Sequence, residues 1–78
     1  MKTRKTILYN GKENHDKVYI VAVEPHTTWF NVVAYYGRRE ARRLNRVVKA
    51  TTRVRQVAIE TANQIVTQKF AHGYEIAA

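Results

Sequence analysis

Lys17-Val18-Tyr19-Ile20-Val21-Ala22-Val23, then Glu24-Pro25-His26-Thr27, then Thr28-Trp29-Phe30-Asn31-Val32-Val33-Ala34-Tyr35-Tyr36: these twenty residues decide the fold. The outer two runs are β-branched and aromatic, the composition of strands that bury much of their surface. Between them Pro25 withholds a ladder donor and suits a turn. The stretch therefore predicts two long strands, Lys17–Val23 and Thr28–Tyr36, folded back on each other. Gly37 is expected to end or bend the second.

Working toward the N-terminus, Lys5 to Tyr9 reads as a short strand stopped by the turn dipeptide Asn10-Gly11, and Lys12 to Asp16 as a loop. Toward the C-terminus, Arg42 to Ala50 alternates loosely and is read as a polar, partly exposed strand. Its Leu44, Val48 and Ala50 are set against Asn45, Val47 and Lys49. Thr51 and Thr52 are candidate N-caps. From Arg53 to Phe70 the pattern is helical, with Val54, Val57, Ala58, Thr61, Ala62, Ile65 and Lys69 on one side. Ile59, Val66 and Phe70 form a second apolar ridge, to be covered by the termini or by a second copy in a homodimer. Gly73 is a plausible helix stop. The fold class is thus α+β: a small antiparallel sheet of about four strands with one C-terminal helix packed on it.

A chain of 78 residues makes one domain, with its core roughly from 6 to 74. At that size only about 60–65% of the unfolded surface is buried, so the core is thin. An apolar fraction of 45%, with eight aromatics, belongs to a folded protein and not to a charged tail. The absence of cysteine excludes disulfides and thiolate metal sites. Only Ile7-Leu8-Tyr9 follows the basic start before the turn, too little for a signal-peptide core, and no segment approaches membrane-spanning length. The expectation is a cytoplasmic protein with no membrane contact.

Charge is distributed unevenly. Of the formal +8, an excess of +7 falls in residues 38–55, which hold seven of the eight arginines, Lys49 and a single acid, Glu40. One reading is a solvated face, the commonest fate of a charge run. The other is a phosphate-binding surface, favoured by the dominance of arginine, whose planar donor fork suits phosphate. Arg53 and Arg55 also fall in the predicted first helical turn, where the helix dipole disfavours cations and attracts anions. Either Tyr35 or Tyr36 is placed to stack on a base or sugar beside these arginines. Catalysis finds no support. His15, His26 and His72 are isolated, the six carboxylates are scattered, and there is no glycine-rich phosphate loop. No cofactor or metal is expected.

Three pieces of the chain resemble the WGR domain, a small module of poly(ADP-ribose) polymerases and many bacterial proteins. Lys17-Val18-Tyr19 resembles the family's lysine-aromatic-tyrosine entry to its second strand. Tyr36-Gly37-Arg38 resembles the Trp-Gly-Arg signature, with tyrosine in place of tryptophan. Lys69 followed by Gly73-Tyr74 resembles the family's closing tail. Glu40 stands where the family usually has a glycine. The resemblance covers roughly Thr6 to Tyr74. It implies DNA binding through the signature aromatic and arginine, here Tyr36 and Arg38, with no chemistry of the domain's own.

Taken together, the residues and the resemblance predict a non-enzymatic nucleic-acid-binding module that reads backbone, not base sequence, with DNA favoured over RNA. Tyr36, Arg38, Arg39, Arg42, Arg43, Arg46, Arg53 and Arg55 are the candidate contacts. The alternative is a protein-interaction or regulatory module that recruits an acidic partner, with the arginines steering the encounter.

Overall fold

The computed structural model describes residues 4–12 and 16–77. Their elements follow in the order β1 (Arg4–Asn10), β2 (Lys17–Pro25), β3 (Phe30–Arg38), β4 (Asn45–Thr52), α1 (Arg55–Ala71) and β5 (Glu75–Ile76). All strand pairings are antiparallel, in the order β4-β3-β2-β1-β5, and the single helix packs on one face. The expected α+β class holds, with a fifth strand beyond the four foreseen.

The central hairpin is longer than its sequence pattern. β2 runs on through Pro25, which pairs with Phe30 at the hairpin end, where a missing ladder donor is tolerated. The amide of His26 donates to the carbonyl of Trp29 at 2.8 Å and closes the loop. Gly37 does not end β3: it pairs with Val18, and the strand continues to Arg38.

β4 departs furthest from its expected alternation. Val33 pairs with Val48 but Val32 pairs with Ala50, so Lys49 is the extra residue of a bulge. The bulge resets the period of two. Val47 and Lys49 keep to the helix side, and Ala50 joins them there against the core, away from Val48. Thr51 and Thr52 remain in β4 and do not cap the helix. The N-cap is Val54, in extended conformation, and its amide is taken by the Thr52 hydroxyl at 3.1 Å.

The core lies between the helix and the facing side of the sheet. Leu8, Tyr19, Val21, Val23, Val32, Ala34 and Ala58 are buried there, with Phe30, Ala50, Ala62, Ile65, Val66 and Tyr74 packed around them. The apolar contacts of the helix with the core are Ala58, Ala62, Ile65 and Val66, a narrower apolar stripe than the sequence suggested. Val54 and Val57 stay exposed, and so does Phe70 of the second ridge, whereas Val66 of that ridge packs on the core.

The helix ends in a Schellman motif. Gly73 takes φ +92°, a left-handed conformation that glycine adopts without a Cβ penalty. Its amide donates to the carbonyl of Phe70, and the amide of Tyr74 to that of Lys69, both at 3.1 Å. The chain reverses there, Tyr74 returns to the core, and residues 75–76 pair with β1. Asn10, itself buried, ties β1 to this turn by donating from Nδ2 to the carbonyl of His72 at 3.2 Å.

Candidate functional site: a basic, tyrosine-floored cleft

Antiparallel pairing sets Tyr19 of β2 directly opposite Tyr36 of β3, on the helix side of the sheet. Their rings stack with centroids 6.1 Å apart and an interplanar angle of 20°. Tyr74, delivered by the Schellman turn, meets Tyr19 edge to face at 6.0 Å. Lys69, in the last turn of the helix, holds its Nζ 4.3 Å from the Tyr19 ring centroid and 6.0 Å from that of Tyr74. Such a cation over an aromatic face is held by the ring quadrupole.

These residues line a cleft of about 410 Å³. Its walls carry Lys17, Arg38, Lys49 and Lys69 and no carboxylate. Val47 and Gly37 complete the lining. The geometry gathers four cations from four different elements around an aromatic floor: Lys17 from β2, Arg38 from β3, Lys49 from β4 and Lys69 from α1. A cavity so lined has a positive potential that favours anions. Burial, and the neighbouring Tyr36 and Tyr74 rings, push the Tyr19 phenol above its ordinary value near 10.0, and burial does the same to Tyr74. Both phenols therefore stay protonated at neutral pH and add no negative charge to the floor.

Of the sequence-predicted contacts, Tyr36 and Arg38 lie in this cleft. Tyr36 is both packed and available: it stacks on Tyr19 yet remains 38% exposed. The others disperse. Arg46 pairs across the sheet with Tyr35, on the face opposite the helix. There its Nη2 lies 2.9 Å from Oε1 of Glu24 and its Nε donates to the Tyr35 hydroxyl at 3.3 Å. The Tyr35 hydroxyl in turn donates to Glu24. Tyr35 is thereby committed, so Tyr36 is the aromatic of the pair that faces the cleft. Arg39 lies over the ring of Tyr9, 5.5 Å from its centroid, while the Tyr9 hydroxyl donates to Asp16 at 2.8 Å. That bond to Asp16 is the first cause that raises the Tyr9 phenol above its ordinary value.

Arg42 and Arg43 are exposed in the connection before β4 and do not line the cleft. Arg53 and Arg55 flank the helix start, beyond Thr52, which pairs with Phe30. Arg38 sits at the other end of β3, so strand length alone, at about 3.3 Å per residue, separates the two groups by roughly 25 Å. The arginine run is one block in sequence and several places in space.

Lys17, Lys49 and Lys69 were not singled out as contacts by composition. Single lysines far apart in sequence carry no signal of convergence. The three stretches that carry the resemblance, Lys17 to Tyr19, Tyr36 to Arg38, and Lys69 with Tyr74, meet around this one cleft. Among the described residues there is no group of three or more His, Asp or Glu able to hold a metal, and no helix long and apolar enough to cross a membrane. His15 lies outside the described residues. In comparisons with known proteins, no family model, no curated protein and no solved structure matches this chain.

Proposed function

We propose that the chain is a WGR-like, non-enzymatic module that binds the phosphate backbone of nucleic acid, DNA in preference to RNA, through the cleft at Tyr36 and Arg38. The observation that carries this reading is the set of four cations around a tyrosine floor with no carboxylate among the lining residues. Uncompensated positive charge in a concave site costs stability through self-repulsion, and a polyanion relieves it. Tyr36, held flat by Tyr19, offers an exposed aromatic surface beside the phosphates. The exposed Arg42 and Arg43 extend the field around the cleft and steer the encounter.

Titration against duplex, nicked and single-stranded DNA and against RNA, at several salt concentrations, tests the proposal. Four phosphate contacts give a slope of log affinity against log salt of about −3 to −4 on duplex DNA. Binding that is absent for all four ligands, or indifferent to salt, sinks it.

A further inference from the structure

The two edges of the sheet are finished differently. On one side β1 is capped in part: Leu8 and Tyr9 pair with Ile76 and Glu75, and the amide of Ala77 donates to the carbonyl of Ile7 at 2.8 Å. On the other side β4 ends the strand order. All of Asn45 to Lys49 is exposed, and among the described residues no turn or loop backbone bonds to this strand. An antiparallel strand with one partner leaves a row of N–H and C=O groups on its free edge. Val47 and Val48, 36% and 45% exposed, stand on opposite faces of that edge. A strand laid alongside covers both, whereas a partner docking on either face covers one.

Charge selects the occupant. A second copy, paired antiparallel about Val47 and Val48, sets Arg46 opposite Lys49 in both halves, and like charges directly opposite destabilise a strand pair. A lysine on the edge is standard protection against such self-pairing. Arg46 is already matched by Glu24 on its own sheet, but Lys49, Arg42 and Arg43 have no carboxylate within ion-pair distance among the described residues. The same charges that repel a copy attract an acidic strand.

We propose that the free edge of β4, over Asn45 to Lys49, takes an extended acidic peptide segment as an added sheet strand. Main-chain bonds to the edge supply the affinity, Val47 and Val48 supply the side-chain contacts, and the cations around them set the preference for glutamate or aspartate. Because Val47 and Lys49 also line the cleft, an acidic strand seated here opposes a polyanion in the cleft. The edge itself does not depend on the nucleic-acid reading.

The probe is a short blocked peptide alternating glutamate with valine, titrated into the full chain while amide hydrogen exchange is followed by NMR. The expected result is binding, with new protection confined to Asn45–Lys49. The same peptide with N-methylated backbone amides keeps its charge but loses its donors, and should bind about tenfold more weakly or worse. Val48→Glu, a change at an exposed position, should also weaken the parent peptide. Equal binding of the N-methylated peptide, protection centred on Lys17, Tyr36 and Lys69, or no binding at all overturns the proposal. So does self-association of the free chain with β4 amides already protected, which assigns the edge to a second copy. Nucleic-acid titration without peptide judges the cleft separately.

Discussion

The two faces of the sheet treat their cations in opposite ways. On the face away from the helix, Arg46 is matched by Glu24 and Tyr35, and Arg39 lies over Tyr9, whose hydroxyl is bound to Asp16. On the helix face, Lys17, Arg38, Lys49 and Lys69 share a cleft with aromatic rings and no acid. The first arrangement matches its positive charge within the fold; the second leaves it without an acidic partner among the lining residues. Density of charge along the chain does not distinguish these roles. Partnership in space does.

The largest expected effect tests which face carries stability. Leu8 on the helix face is fully buried, so Leu8→Ala should cost about 2–5 kcal/mol in denaturant unfolding. Ile20, half-buried on the other face, should cost clearly less on the same change. Equal losses would mean that the face away from the helix, where Val33 and Ala22 are also buried, is as much a core as the helix face.

Binding sharpens the contrast. Removing Lys17 and Lys69 together (both to Ala) should lower the salt slope on duplex DNA by about 2, at 0.9 per lost phosphate contact. Removing Arg39 and Arg46 together should leave that slope nearly unchanged. Their loss should appear instead as a small drop in stability, because the Arg46–Glu24 pair is solvent-screened. If the two double variants shift the slope alike, the faces do not differ in function.

Gly73 links the fold to the cleft, because its left-handed conformation returns Tyr74 to Tyr19 and Lys69. An added Cβ there also meets the Asn10 side chain at 3.4 Å. Gly73→Ala should cost about 1–2 kcal/mol. Gly11→Ala should not disturb Tyr74, since the atoms it would press on belong to Tyr9 on the other face. Chemical-shift changes at Tyr74 and Tyr19 in the first variant and not the second would show that the effect is local.

The central hairpin was legible because Val, Ile, Tyr and Trp in long runs have few other uses. β4 was blurred by its bulge: with Lys49 inserted, Val47 and Ala50 face the helix although their spacing is odd, which no strict alternation reports. β5 is only Glu75–Ile76, held by its pairing with β1 and too short to leave a pattern. Tyr36 and Arg38, close together in sequence, are also together in the cleft. The lysines of the cleft are far apart in sequence, and their convergence is a product of topology. Arg46 was misleading for the same reason. The charged residues nearest it in sequence, Arg43 and Lys49, are cations, but its neighbours across the sheet are Tyr35 and, one strand further, Glu24.

The smallest effect concerns pH and bears only on the face away from the helix. The Glu24 carboxyl lies below its ordinary value near 4.5, first because the Tyr35 hydroxyl donates to it and then because Arg46 bonds to it, against an opposing contribution from burial. The folded state therefore favours the ionised form, and between the folded and unfolded values the unfolded chain binds more protons. The stabilisation is whole above pH 4.5 and drains as pH falls through the lower folded value. Both partners are partly exposed, which limits it to about 1 kcal/mol or less. Glu24→Gln should remove it, so the stability difference between the two proteins should shrink from about pH 6 to about pH 3. Denaturant midpoints across that range measure this directly. A difference that stays constant would show that Glu24 holds Arg46 by shape and hydrogen bonding alone. The charge matching on that face would then be incidental, and the contrast between the faces would rest on the cleft.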